Sequence, residues 1–292
     1  MKSSFKVFGI IAVTAVIGFT MAACQSTGGR VEAQLANQKI PDGVLQIMAE
    51  SRAMGDSFVV RAEKISRFFL GAPYAGDALG EGEGFDPDPL YLFDHFDCVT
   101  YIETVLALAE SKSAEDFPAA KAKVSYINGE ISYLARKHFF ELDQAMSGEG
   151  LLREITVEVA ESAGVPYKTR EGVIDKAGFF ATKGLRLTKE QNAAITPQTA
   201  SLNYFPKDAD WALIAQYTPD FLVFGIAAGE DANMYKAVGS DLLLAHVGFL
   251  VKKDNVLYMR HAASVVEEEE LTSYLKRTTA WRIGVVLWEL PE

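Results

Sequence analysis

The clearest periodic signal in the chain runs from Cys98 to Ala109, where Val99, Ile102, Val105, Leu106 and Ala109 recur at the spacing of a helix with one buried face. Asp97 precedes this run, and its side-chain oxygen can accept from the free amides of a first turn. The pattern therefore predicts a helix that begins at Cys98. Two amphipathic helices are expected upstream, over 43–52 and 57–70. The second has Val59, Val60, Ala62, Ile65, Phe68 and Phe69 as its apolar face and ends in the turn Gly71-Ala72-Pro73-Tyr74. The glycine- and acid-rich stretch from Gly76 to Pro89 reads as a loop. Residues 117–146 read as a helix interrupted near Gly129, and 151–194 carry mixed signals that place no element. Asn203 to Asp208 reads as a turn-rich connection, 209–216 as a short helix and Phe221 to Ile226 as a buried strand.

Two further strand-like runs, Asp241–Val251 and Val256–His261, are joined by the polar Lys252-Lys253-Asp254-Asn255. If those four residues form the loop, Val251 faces Val256 and His246 falls opposite His261, with Cβ atoms about 4.5–5.5 Å apart on one face. A two-residue Asp254-Asn255 turn pairs His246 with Ala263 instead. A single histidine on an apolar strand is ordinarily a core residue. Two of the chain's four (His95, His138, His246, His261) as cross-strand neighbours point toward chemistry when a spare thiol is also present.

The cysteine count supplies that thiol. Lys2 and Lys6 precede an apolar run from Val7 to Met21 that is short for a membrane span, and Met21-Ala22-Ala23-Cys24 follows. This segment resembles a bacterial lipoprotein signal with its lipobox, although Met21 stands where leucine is usual. The resemblance implies cleavage before Cys24, lipidation of that residue and anchoring to a membrane of the cell envelope. Gln25, rather than aspartate, points to the outer membrane, facing the periplasm. Three segments are expected: a signal over 1–24, a tether over 25–40 and a single catalytic domain over 41–292. The hydrophobic content of 49% is ample for one large core. With Cys24 lipidated, Cys98 has no disulfide partner. Neither C-x-x-C nor H-E-x-x-H spacing is present, so no metal and no cofactor is expected. A net charge of −11 excludes nucleic acid as a partner, which would need a basic stripe.

A thiol at a helix N-terminus faces free amides and the positive end of the dipole, both of which favour thiolate. His246 is the expected base, forming a thiolate–imidazolium pair and later protonating a leaving amine. His261 is expected to hold the His246 imidazole in position. His95, three residues before Cys98, is the rival base. Such a constellation performs acyl transfer, most often hydrolysis of an amide.

On these residues the chain resembles the NlpC-like branch of papain-fold cell-wall hydrolases. The shared motifs are Gly71-Ala72-Pro73-Tyr74, Asp97-Cys98, His246-Val247-Gly248 and His261-Ala262. Within that branch it is most similar to an N-acetylmuramoyl-L-alanine amidase-like family, through Asp97-Cys98-Val99-Thr100-Tyr101-Ile102-Glu103, Arg136-Lys137-His138-Phe139 and Tyr204-Phe205-Pro206-Lys207. The resemblance implies an α+β, papain-like NlpC-type fold in which the nucleophile-bearing helix packs on a small antiparallel sheet carrying the histidines. It also implies hydrolysis of the bond between the muramoyl lactyl group and L-Ala, in peptidoglycan or muropeptides. Tyr74 is then a substrate or oxyanion contact, and Arg136 and His138 are contacts to a peptide carboxylate, with turn packing and structural roles as the alternatives. Phe139 replaces the family's tyrosine, the Tyr204 segment is one residue short, Pro219 stands in place of a glycine–aspartate pair, and 231–240 lengthens the connection before His246. Cleavage within the stem peptide, transglutaminase-like acyl transfer and a non-catalytic binding lipoprotein are the other functions this pattern allows. Glu267 to Glu270 reads as a solvated acidic run.

Overall fold

In a computed structural model the described residues are 38–76, 91–144 and 151–292, all within one compact unit, Leu35–Glu292. The signal, Cys24 and the tether up to residue 37 lie outside them, as does most of the acidic loop beyond Gly76. Among the described residues no helix is long and apolar enough to cross a membrane.

The N-terminal half is helical. Helices α1 (Asp42–Ala53), α2 (Phe58–Phe68), α3 (Cys98–Glu110) and α4 (Phe117–Ser125) pack together. The first three match the periodic segments. The helix expected over 117–146 ends instead at Ser125, because Asn128 and Gly129 take positive φ and turn the chain back, so that Tyr126 bridges to Arg136. A single wide turn follows, Phe140–Gln144. There Glu141 accepts from the Leu243 amide at 3.0 Å, anchoring the residue before the strand that carries His246.

The rest is mixed. Strand β1 (Arg153–Glu154) is followed by α5 (Thr156–Ala163), β2 (Lys168–Ile174), α6 (Lys176–Thr182) and α7 (Lys189–Ala194). Next come β3 (Gln198–Pro206), α8 (Trp211–Tyr217), β4 (Phe221–Ala228), α9 (Ala232–Val238) and β5 (Leu244–Lys253). The chain closes with β6 (Val256–Ala262), β7 (Val266–Glu270), α10 (Leu271–Arg277) and β8 (Arg282–Glu289). Asn203 to Pro206, expected as a turn, is therefore strand, and α9 fills the lengthened connection before His246.

The expected class, α+β with an antiparallel sheet, holds, but the sheet is not small. Eight strands lie in the order β2-β3-β8-β4-β5-β6-β7, with β1 also on β8, and every pairing is antiparallel. Both faces are covered. Val223, Phe249, Val286 and Trp288 pack under α1 to α4, while Leu222, Phe224, Leu250 and Leu287 pack under α5, α8 and α10. Burial on both sides explains why β4 reads as an unbroken apolar run rather than as an alternation.

Within the helical layer, Glu103 is the last residue of the D-C-V-T-x-x-E motif, and its role here is in the core. Its carboxylate accepts from Lys121 Nζ at 2.8 Å and Ser125 Oγ at 2.7 Å, joining α3 to α4, with both charged side chains only 5% exposed. Burial opposes ionisation, but Lys121, Ser125 and the charge of Arg136 hold the carboxyl below its usual range. Removing one partner strands the other charge in the interior. Glu103→Ala is expected to lower the unfolding free energy by about 3–5 kcal/mol in a denaturant titration. A loss under about 1 kcal/mol, the value of an exposed pair, would contradict a buried one.

Candidate active site

Cys98 opens α3, and the start of that helix is pinned. Asp97 Oδ1 accepts from the amides of Val99 at 2.9 Å and Thr100 at 2.7 Å, while Thr100 Oγ1 accepts from the Asp97 amide at 3.0 Å. One turn on, Tyr101 Oη donates to the Ser66 carbonyl at 2.8 Å, tying α3 to α2. The cap leaves Cys98 at the one end of the helix with free N–H groups.

The backbone amides of Val247, Cys98 and Val99 act on the thiol and favour its ionised form. Val247 directly follows His246. Pairing between β5 and β6 ends at Phe249↔Arg260, so Val247 lies where the two strands part, and the first turn of α3 meets them there. Phe249 in turn packs its ring edge-on against Tyr101, 5.6 Å between centroids.

The hairpin register differs from the four-residue loop. Lys253 pairs with Val256 across a two-residue turn in which Asp254 and Asn255 both have positive φ, the conformation that matches strand twist in tight hairpins. Continuing this register sets Gly248 opposite His261, which makes His246 its diagonal neighbour on the same face. The imidazoles nevertheless meet: His246 Nε2 and His261 Nδ1 are 2.7 Å apart. Gly248 is what permits this, since a Cβ there would lie 2.8 Å from His261 Cβ and 2.7 Å from the Phe224 ring. The side chain that would stand between the rings is missing.

A third group completes the line. His261 Nε2 lies 3.1 Å from Glu269 Oε1 on β7, and Glu269 is paired with Arg277 on α10. A carboxylate only accepts, which assigns the His261 proton to Nε2. Nδ1 of His261 then accepts from Nε2–H of His246 and leaves His246 Nδ1 unprotonated. Tyr274 and Phe224 flank both rings, at 5.7 and 6.4 Å from His261. The run Glu267 to Glu270 is therefore a half-buried strand with protein partners and not a solvated stretch: Glu268 pairs with the buried Arg260 at 2.8 Å, and Glu269 holds His261. The signal was present in the short link from His261 to Val266, which forces a hairpin and lays these acids beside the histidine strand. His261, Glu267 and Glu269 bring ligand atoms within 4.8 Å of one another, a geometry open to a cation. Here, however, both nitrogens of His261 are engaged by protein partners.

Electrostatics set the resting state. Burial pushes the Cys98 thiol up to about 12, assisted by the negative Asp97 and opposed by the amides. Burial pushes His246 down to about 3, with His261 and Arg282 adding to it. Burial therefore works against the expected thiolate–imidazolium pair, in opposition to the helix terminus.

The remaining residues fall into two groups. Tyr74 is 45% exposed, and its backbone bridges to Phe96 and bonds the Ser264 carbonyl at 3.0 Å, placing it between the α3 start and the β6–β7 link. Burial, then the charges of Cys98 and Asp97, raise its phenol. Arg136 and His138 gather elsewhere. Arg136 is buried, with Nη2 donating to Tyr126 Oη at 2.9 Å and its charge acting on Glu103. His138 sits among Tyr133, Phe179 and Phe180, its Nε2 2.8 Å from the Tyr133 carbonyl and its pKa pressed by burial to about 4. His95 bonds Asp94 at 2.7 Å, so its Nδ1 is occupied.

A family model described as AmiA-like, N-acetylmuramoyl-L-alanine amidase-like, matches residues 64–281, and the chain belongs to that family. No curated protein matches it. Among solved structures, a Legionella pneumophila protein of the DUF1460 family is 24% identical, with a TM-score of 0.73 over 91% of this chain and 98% of its own. An N-acetylmuramoyl-L-alanine amidase from Bacteroides uniformis is 20% identical, with a TM-score of 0.59 over 80% and 99%. A Bacteroides fragilis protein named as a candidate xylanase is also 20% identical, with a TM-score of 0.56 over 77% and 98%. At these identities the likeness establishes a shared fold, and the family match supports a general amidase-like role.

The resting protonation has a direct test. Alkylation of Cys98 by iodoacetamide is expected to be slow at pH 7 and to keep rising through pH 9, since a thiol held high yields little thiolate below that. A rate that already plateaus below pH 6 would show a preformed ion pair.

Proposed function

We propose that this chain is a cysteine amidase of papain-like, NlpC-type architecture that hydrolyses the amide between the muramoyl lactyl group and L-Ala in peptidoglycan or muropeptides. The observation that carries this reading is the His246–His261–Glu269 line, which leaves one unprotonated imidazole nitrogen at the strand whose next amide acts on the Cys98 thiol. Family membership supplies the peptidoglycan-type substrate.

In this mechanism Cys98 attacks the lactyl carbonyl while His246 Nδ1 takes the thiol proton, so sulfur gains a carbon bond without leaving a bare thiolate in a desolvated site. The imidazolium is stabilised through His261 by Glu269. The Cys98 amide, which the Asp97 cap leaves free, donates to the developing oxyanion, and Tyr74, exposed beside the thiol, donates to it as well. Collapse breaks the C–N bond, and His246 returns the proton to the departing amine of L-Ala. Water, deprotonated by the same imidazole, then cleaves the thioester and restores the thiol.

The lipobox-like segment supports anchoring to a membrane of the cell envelope through a lipidated Cys24, for which more than one acyl chain is needed. Cys24→Ser is expected to leave turnover in vitro unchanged and to abolish membrane fractionation in cells. Its recovery with membranes would reject the anchor.

Mass analysis of digested soluble muropeptides is expected to show free stem peptide beginning with L-Ala. New amino termini inside the stem indicate an endopeptidase, and products joined to an added amine indicate acyl transfer. Cys98→Ala is expected to remove turnover while keeping the fold. Glu269→Ala is expected to lower kcat roughly 10- to 100-fold with little change in KM, as for other outer partners that orient a reacting imidazole. His261→Asn should retain more activity than His261→Ala, because an amide oxygen can still accept the His246 N–H. Equal activity in those two variants would remove His261 from the orienting role.

A further inference from the structure

Strand β4 is irregular against both of its neighbours at one level. On one side Ile226 pairs with His246 and Ala227 with Leu244, which leaves Ala245 as an extra residue of β5. On the other, Ala227 pairs with Gly284 and Ala228 with Arg282, which leaves Ile283 as an extra residue of β8. Such bulges break the alternation of faces and re-aim side chains. Arg282 is three residues from Val285, so a regular strand would turn it to the opposite face. The bulge returns it to the face of Val285 and Ile226, which is also the face of His246.

There Arg282 meets Tyr274. In α10, Leu271, Tyr274 and Leu275 follow the spacing of one helix face, and all three are buried against the sheet. The Tyr274 ring lies near-parallel to His246, 6.5 Å between centroids at 23°, and edge-on to His261 at 5.7 Å and 80°. Its hydroxyl accepts from Arg282 Nη1, and the guanidinium carbons of Arg282 and Arg277 stand 5.7 and 5.3 Å from the ring centroid. The two arginines differ in charge balance. Arg277 is paired with Glu269, whereas among the described residues no carboxylate pairs with Arg282, and Tyr274 is the side chain that holds it.

The other titratable and charged groups that face His246 are His261 on β6, Glu269 and Glu267 behind it on β7, and Cys98 on α3, with Asp97 and Tyr74 beside the thiol. The carboxylates of β7 draw positive charge toward the imidazoles, and an imidazolium cannot accept the Cys98 proton. Burial and His261 oppose that charging of His246, and the charge of Arg282 adds to both. We propose that Arg282, held in place by the Tyr274 hydroxyl, is a positioning residue that keeps the His246 imidazole neutral and so ready to take the thiol proton. The proposal rests on the reading of His246 as the base of the amidase. Glu269 strengthens the base through His261, and Arg282 keeps it unloaded until the thiol proton moves. It does so from β8, two strands away, through its charge and its place beside Tyr274.

An NMR titration of the full-length protein with labelled histidines tests this without turnover, the His246 signal being assigned by its loss in His246→Gln. Arg282→Gln removes the charge and is expected to raise the proton affinity of His246 at least about three-fold, half a pH unit. Arg282→Lys keeps the charge and is expected to leave the midpoint where it is in the wild type. Tyr274→Phe keeps the ring and frees the guanidinium, and should give an intermediate rise. With soluble muropeptides, the acid limb of kcat/KM should move to higher pH by the same amount in Arg282→Gln and stay in place in Arg282→Lys. The direction follows because a more basic imidazole stays protonated to higher pH, whereas loss of a purely structural residue would lower the whole profile without moving the limb. An unmoved His246 midpoint in Arg282→Gln, or in Tyr274→Phe where Arg282→Gln does not fold, overturns the proposal, as does an equal rise in Arg282→Lys. If the midpoint rises but wild-type enzyme cuts inside the stem, the assignment of the scissile bond fails and the role of Arg282 stands. If muropeptides are cut at L-Ala and the midpoint is unmoved, the role of Arg282 fails and the amidase stands.

Discussion

Cys98 and Val247 stand together where β5 leaves β6, and there the two halves of the site meet. On one side stands a helix whose start is fixed by Asp97 and Thr100, so the thiol has a defined position relative to the sheet. On the other side the strand bearing Val247 presents the His246 ring one residue earlier. Arg260 reinforces the same junction: next to His261 in sequence and 1% exposed, it bonds Glu63 and Ser66 of α2 and Glu268 of β7.

From the sheet outward, each member of the histidine line is held by a diagonal rather than a direct cross-strand relation. His246 reaches His261 past the vacant position of Gly248, and His261 reaches Glu269 across to β7. The direction of the protons follows from the terminal carboxylate, since it alone cannot donate. A chain of two imidazoles without it would have no preferred tautomer, and the basic nitrogen could as readily face the sheet. The Arg277 partner keeps Glu269 ionised despite its partial burial.

Local signals carried the helix of Cys98 and its cap, since both the period and the capping oxygen lie within a few residues. The encounter of His246 with His261 was legible from two strands and a short link, but the register was not. A four-residue polar loop and an Asp-Asn turn are equally consistent with the composition, and only positive φ at both turn residues decides between them. Glu269 escaped because four consecutive glutamates show no alternation, although in β7 they alternate in partners: Glu268 meets Arg260 and Glu269 meets His261. Arg136 and His138 carried the residue types of a carboxylate site, yet the turn at Asn128 and Gly129 folds them onto Tyr126 and the Phe179–Phe180 cluster.

The connectivity has a consequence for how the protein acquires activity. Cys98 lies in the helical first half, whereas His246, His261 and Glu269 all lie on the last strands before β8, so bringing thiol and imidazoles into one site joins segments far apart along the chain. Contacts of that separation form late, after loop closure has been offset by other packing. A partly emerged chain holds the capped thiol before the strands that carry the imidazoles exist, so the full constellation waits until the C-terminal hairpins have docked.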